Sequence, residues 1–363
     1  MQGQSTRFQL KLKKVIYITM AWLGISLFQV LYDYLIVISY TDNPELFRLP
    51  KVLAATVLIA IIAGIIGGIF IVNKIEPWLR SLPFWKALIL LLGFYTLSAF
   101  VLMAFGSLLY QSLVLQTGLF HPTTFAEVKN FLTGLDFIKL FISWGLIFFG
   151  TIISIMIYDK YGPGNFRNLL LGRYFHPRSE ERIFMFLDLR SSTTIAEKLG
   201  NRKYFQFLHD FINDATDPIL YTKGDIYQYV GDEIVISWTM PNGLQVNNCI
   251  NCFFDIQAAI QAKSQYYTKE YGYIPEFKAG LHFGSVISGE IGLVKKEIAF
   301  SGDVLNTASR IQSECNKHQL DLLLSDELVN LLNLPNNHEV KSIGKIQLRG
   351  KAEEVGLSTI TRK

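Results

Sequence analysis

Four long, nearly unbroken apolar blocks fill the first 160 residues, and after about residue 178 the chain changes to short apolar runs divided by charged and turn-forming residues. The blocks extend from Val15 to Tyr40, Leu53 to Val72, Ala87 to Leu109 and Phe137 to Ile157. Each attains the roughly 20 residues that an α-helix needs to cross a bilayer. The change in pattern predicts a multi-domain chain: a transmembrane four-helix bundle over residues 1–158, a linker or coupling segment over 159–181 and a globular domain over 182–363.

Basic residues orient the blocks. Arg7, Lys11, Lys13 and Lys14 precede the first, Lys74, Arg80 and Lys86 separate the second and third, and Lys160, Arg167, Arg173 and Arg178 follow the fourth. The other two loops hold only Arg48, Lys51 and Lys129. This positive-inside distribution predicts a multi-pass membrane protein with both termini and the globular domain in the cytoplasm. The first block exceeds the roughly 7–15 residues of a signal-peptide core, and no small-residue cleavage site follows it. Asp33, near its far end, is costly in hydrocarbon and reads either as a headgroup-level residue or as an intramembrane ligand or signal site. Gly64, Gly67 and Gly68 permit close helix packing. A transport pathway would call for charged or broken helices at mid-membrane, whereas these blocks are largely apolar.

After the fourth block, Gly162-Pro163-Gly164 should break the helix, and the following run sets Phe166, Leu169, Leu170 and Phe175 beside Arg167 and Arg173. An interfacial amphipathic helix, a signal-relaying helix and a plain linker all fit. Beyond it the pattern predicts a strand at 183–188, helices at about 192–199 and 202–221, and a strand pair at 225–230 and 233–239. A long helix at about 243–270 follows, then strands at 277–283 and 285–291 and a helix from about Val304 to Asn316. Short strands at 321–324, 339–348 and 355–360 close the chain. This β-α-β-β-α-β order predicts an α+β domain of ferredoxin-like arrangement, with the first strand beside the hairpin formed by the second and third.

The run YQYVGDEIVI, residues 227–236, places Asp232 and Glu233 inside an otherwise apolar hairpin. An unpaired buried charge costs several kcal/mol or becomes neutral, so these carboxylates need compensation. Asp188 closes the first apolar strand and can reach the same sheet end. Two converging carboxylates repel unless a cation lies between them, and hard oxygen donors in such small number suit Mg²⁺ or Mn²⁺ whose shells are completed by water and phosphate. Gly231 leaves room for a phosphate chain. Equally, Asp188 could cap the following helix and Asp232 could be a turn residue. In GDVLNTASR, Asn306 and Arg310 are four apart and share a helix face. A guanidinium there suits charge developing on phosphate oxygens, although the pair could also be a surface hydrogen bond.

Taken in order, FLDLRSST, YVGDEIVIS, GLHFGSVISGEIG and GDVLNTASR resemble the catalytic domain of class III nucleotidyl cyclases over about Arg182 to Thr361. The resemblance implies a homodimer with active sites at its interface. It implies that Asp188, Asp232 and the carbonyl of Leu189 hold two Mg²⁺ or Mn²⁺ ions, and that Asn306 and Arg310 of the other subunit stabilise the transition state. Arg349 matches a triphosphate-contacting lysine, with Lys351 nearby. The base-recognition positions hold Gln228 and Ala299, where adenylyl cyclases carry lysine with aspartate or threonine and guanylyl cyclases carry glutamate and cysteine. A glutamine amide both donates and accepts, so either purine could pair with it. The resemblance implies a bacterial inner-membrane enzyme that makes cyclic AMP from ATP, with cyclic GMP from GTP, or a degenerate nucleotide-binding regulatory module, as the alternatives.

The net charge of +4 is small and scattered, which gives no case for nucleic acid. Three cysteines lie in the globular part. Cys249 and Cys252 have C-x-x-C spacing without a second pair or a histidine, a pattern that fits core packing better than metal or redox use.

Overall fold

A computed structural model describes residues 2–40, 49–80, 82–161, 172–294, 296–351 and 353–362. The chain forms two compact units, one of Phe8–Lys160 and one of Tyr161–Lys363 together with Met1–Arg7.

The N-terminal helices are α1 (Gln2–Tyr40), α2 (Leu49–Phe70), α3 (Glu76–Arg80), α4 (Phe84–Leu115), α5 (Pro122–Thr133) and α6 (Leu135–Tyr161), with a π-helical turn at Ile71–Ile75 between α2 and α3, and their residues 8–160 make up the first unit. Lys11–Tyr40, Val52–Trp78, Trp85–Ser112 and Leu135–Ile157 are long and apolar enough to cross a membrane. They coincide closely with the four apolar blocks. A Cβ added at Gly64 would stand 2.8 Å from the Thr19 Cα, and one at Gly67 would stand 2.9 Å from the Trp22 ring, so small residues bring α2 against α1. Side chains fasten α1 further. Lys14 pairs with Glu76 at 2.8 Å, and Trp22 Nε1 donates to Thr151 Oγ1 at 2.9 Å. Asp33 is paired with Lys139 of α6. Helix α5 has no apolar block to announce it; Pro122 begins it and the His121 ring caps it by accepting the Thr123 N–H.

In the second unit, β1 (Arg178–Leu189), β2 (Asp225–Val230), β3 (Glu233–Thr239), β4 (Phe277–Ile291), β5 (Glu297–Ser301), β6 (Leu322–Ser325), β7 (His338–Ile346) and β8 (Val355–Arg362) form one sheet. Its order is β2-β3-β1-β4-β6-β8-β7, with β5 paired to β4. As expected, β1 lies antiparallel beside the β2–β3 hairpin. Alternation divides the two faces of the sheet. Ile183, Met185, Leu187 and Leu189 pack with Ile234, Ile236, Trp238 and the helical residues Phe207, Phe211, Cys249, Cys252 and Phe253. Phe184 and Phe186 face the other way, against Val304 and Ala308 of a helix at Asp303–His318. All three cysteines are buried, which places them in the core.

Three details differ from the sequence pattern. The two strands predicted around Gly284 are one strand, because Gly284 runs extended beneath Val304 and does not turn. Strand β5 was not predicted. The long helix at 243–270 is broken into Met240–Leu244, a 3₁₀ turn at Gln245–Asn247, Asn248–Ala262 and Ser264–Tyr271. Val246 and Asn247 both adopt left-handed backbone angles, and the Asn247 side chain binds the backbone of Asn333 from both its amide atoms. The segment with Gly162-Pro163-Gly164 and the start of the amphipathic run, residues 162–171, lies outside the described residues.

In chain order the helices of this unit are α7 (Ser192–Leu199), α8 (Asn201–Tyr221), α9 (Met240–Leu244), α10 (Asn248–Ala262), α11 (Ser264–Tyr271), α12 (Asp303–His318) and α13 (Asp326–Val329).

Candidate active site

Three adjacent strands set the acidic end of the site. Asp188 stands across from Glu233 on β3 and across from Lys278 on β4, so Glu233, Asp188 and Lys278 form one row on one face. Asp232 occupies the two-residue turn between β2 and β3, beside Gly231, whose φ of 64° is a left-handed value suited to glycine. Burial raises the Asp188 pKa, and the charge of Asp232 raises it further. Burial, Asp188 and Asp232 together push Glu233 up to about 7. Two groups hold Asp188: Lys278 Nζ lies 3.2 Å from its Oδ2, and Gln312 Nε2 donates to the same oxygen at 2.9 Å. The turn after it is clamped by Arg190, whose guanidinium reaches Asp321 Oδ1 and the Leu320 carbonyl, each at 2.7 Å.

Gln312 can make that contact because α12 lies very close to the sheet. A Cβ on Gly280 would stand 2.2 Å from the Gln312 nitrogen and 2.6 Å from the Ala308 oxygen, so only glycine admits the helix at this distance.

A second cluster sits elsewhere on α12. Lys351 Nζ lies 2.6 Å from Asp303 Oδ2, and the Arg310 guanidinium lies against Gly350. The hydrogen bond from Lys351, with help from the Arg310 charge, holds Asp303 below the usual carboxylate range. His282, hydrogen-bonded to Ser325 at 2.8 Å, is driven down to about 4 by burial and by the charge of Lys351. Of the two cations expected near a triphosphate, Lys351 is half-buried against α12 and Arg349 is exposed.

The structure therefore brings Asp188 and Asp232 together, with Leu189 adjacent and its side chain buried in the core. It also gathers Arg310 and Lys351. Gln228 stands opposite Val235 on β2, and Ala299 opposite Gly289 on β5. Among the described residues, no hydrogen bond or ion pair joins the acidic and basic clusters. At about 100° per residue, Arg310 and Asn306 fall about 160° and 120° around α12 from Gln312, the residue that touches Asp188. Asn306 is exposed on that outer side.

The donor set fits divalent cations. The Asp188 carboxylate, its pKa raised by burial and by the charge of Asp232 in the neighbouring turn, offers with Asp232 hard oxygen ligands and excess negative charge. Among the described residues, no group of three or more His, Cys, Asp or Glu side chains forms a metal site.

The residue pattern missed Lys278 and Gln312. Lys278 had a signal, since a cation in the apolar run FKAGLHF needs a partner as much as Asp188 does. Gln312 had none, because its role depends on the closeness of α12.

Sheet, helix and motif order together define a class III nucleotidyl cyclase catalytic domain. The chain belongs to the adenylate and guanylate cyclase catalytic domain family, which it matches over residues 176–359. It is 33% identical over 213 residues to adenylate cyclase 2 of Rhizobium meliloti (strain 1021), covering 58% of this chain and 59% of the relative. It is 28% identical over 184 residues to human retinal guanylyl cyclase 2, covering 49% of this chain and 16% of that one. The matches thus span less than two thirds of these relatives. Among solved structures, a bacterial light-regulated adenylyl cyclase superposes with a TM-score of 0.53 at 19% identity, over 64% of this chain and 66% of that chain, which speaks for the fold alone.

Proposed function

We propose that this chain is a membrane-anchored adenylate cyclase that converts ATP to 3′,5′-cyclic AMP and pyrophosphate, and that each active site is built by two copies. The observation that carries the reading is the division of α12. Gln312 holds Asp188 on one side, while Asn306 and Arg310 are turned away from that carboxylate. A second copy of the chain is then needed to bring Asn306, Arg310 and Lys351 to the acidic end of the first, and the opposite charges of the two clusters favour that encounter.

Asp188, Asp232 and the Leu189 carbonyl would hold two Mg²⁺ or Mn²⁺ ions. Bound there, such ions lower the pKa of the ribose 3′-hydroxyl and neutralise phosphate charge. The 3′-oxygen attacks the α-phosphorus as the bond to the bridging β-phosphate oxygen breaks. Arg310 meets the charge that develops on the α-phosphoryl oxygens, and Asn306 orients the ribose and phosphate beside it. Lys351 faces the β- and γ-phosphates, with Asp303 holding its ammonium in place. Gly231, lacking a side chain, lets the phosphate chain approach the turn.

ATP is favoured by the 33% identity to a protein named adenylate cyclase 2. GTP is the second reading, favoured by Gln228, whose amide suits either purine edge, and by Ala299, which adds no polar contact. The four apolar helices support anchoring in a lipid bilayer, with the catalytic unit on the cytoplasmic side where nucleotides are.

Co-expression tests the shared site. Asp232→Asn and Arg310→Ala should each abolish turnover alone, and the mixed dimer should regain part of it, because one of its two interfaces keeps a full set. A verified heterodimer without recovery would refute the shared site, and product identification with ATP and GTP in competition decides the base.

A further inference from the structure

The two base-recognition positions lie on strands that share no ladder. Gln228 is on β2, which pairs with β3, and Ala299 is on β5, which pairs with β4. Something other than backbone pairing must fix one against the other.

A β-bulge at Tyr227 does two things there. Ile226 stands opposite Ile236, and Gln228 stands opposite Val235. Without the extra residue Gln228 would oppose Ile234 and fall on the core face; the bulge moves it to the face that carries Asp188. The bulged residue itself reaches across to β5. Its ring lies 5.0 Å from the Phe300 ring and 6.4 Å from Phe184, and its hydroxyl oxygen accepts the Phe300 N–H at 3.3 Å. Among the described residues strand β5 pairs with β4 alone, so the tyrosine hydroxyl supplies an acceptor on the other edge. Phe300 is also braced by Arg182, whose guanidinium lies 4.6 Å from the ring centre and is held by Ser237 at 2.8 Å and Asp225 at 3.3 Å.

Tyr227 immediately precedes Gln228, and Phe300 immediately follows Ala299. We infer that Tyr227 is a positioning residue for nucleobase recognition, fixing β5 against β2 and so setting the gap between Gln228 and Ala299 that a purine ring enters. Ala299 offers only a methyl group, so the fit of the base on that side depends on where the strand is held. The inference rests on the cyclase reading of the site and goes beyond it by assigning base selection to a residue that does not touch the base.

Tyr227→Phe removes the hydroxyl and keeps the ring. Initial rates of the full chain in detergent, with ATP and with GTP and saturating Mn²⁺, should show the KM of the preferred nucleotide rising about three- to tenfold, the scale of one ordinary hydrogen bond. The turnover number should move by less than about twofold, and the preference between the two nucleotides should narrow. Unchanged KM and preference, or an equal fall in turnover for both nucleotides at constant KM, would overturn the role of Tyr227. Wild-type protein that cyclises neither nucleotide would instead overturn the cyclase reading beneath it. If Tyr227→Phe loses its cooperative unfolding transition, Phe300→Leu loosens the same contact from the other strand and is judged by the same criteria.

Discussion

Asp188 and Lys278 stand opposite each other on β1 and β4, with Lys278 Nζ 3.2 Å from Asp188 Oδ2. The ammonium offsets part of the negative charge that Asp188, Asp232 and Glu233 concentrate at this sheet end. It also occupies one flank of an oxygen that a divalent ion would use.

Lys278→Met keeps the aliphatic stem and removes that charge. In the absence of divalent ions the variant should be less stable by about 1–3 kcal/mol, the usual cost of leaving a part-buried polar group without its partner. Added Mn²⁺ should then raise its unfolding temperature more than it raises that of the wild type. Thermal unfolding of the full chain with and without Mn²⁺ measures both; an equal Mn²⁺ shift in the two proteins would count against this account.

Gly280→Ala tests the closeness of α12. The new Cβ would meet the backbone of Gln312 and Ala308, which cannot give way as a flexible side chain would. Overpacking of this kind costs about 1–3 kcal/mol or more, and the helix should lift and carry Gln312 away from Asp188. A fall in unfolding temperature together with loss of turnover is expected. A variant of wild-type stability would show that the contact is looser than described.

Glu233 gives a pH dependence with a definite sign. Its folded pKa of about 7 lies above its usual 4.5, so between these values the folded state keeps a proton that the unfolded chain has released. Its contribution to stability is fully present below the lower value and is lost as pH rises through the higher. In metal-free buffer, Glu233→Gln should therefore decline less in unfolding temperature from pH 5 to pH 8 than the wild type does. Parallel curves would remove Glu233 from the acidic cluster.

The four long apolar helices were legible because length and composition are local properties of the chain. Asp188 and Asp232 were legible because charge inside an apolar strand is conspicuous. Tyr227, Gln312 and the course of β4 through Gly284 were not. An extra residue in a strand, a helix resting on a glycine and a glycine that runs straight are set by what packs against them, and residue order carries no trace of that. The break at Val246 and Asn247 is similar, since the backbone of Asn333, far along the chain, holds Asn247 in its left-handed conformation.

Asp33 is the remaining charge that the apolar pattern marked as costly. Its carboxylate lies 2.7 Å from Lys139 Nζ, joining α1 to α6. A charge within an apolar helix is tolerated where it faces a partner, and this pairing favours a structural reading over a vacant ligand site. Asp33→Lys should weaken the packing of α1 on α6 by setting two cations together, and Lys139→Asp should do so with two anions. The double variant restores an opposite pair and should recover most of the loss. The unfolding temperature of each protein in detergent measures the coupling. Strictly additive losses in the double variant would mean that the two side chains do not support each other in the helical unit.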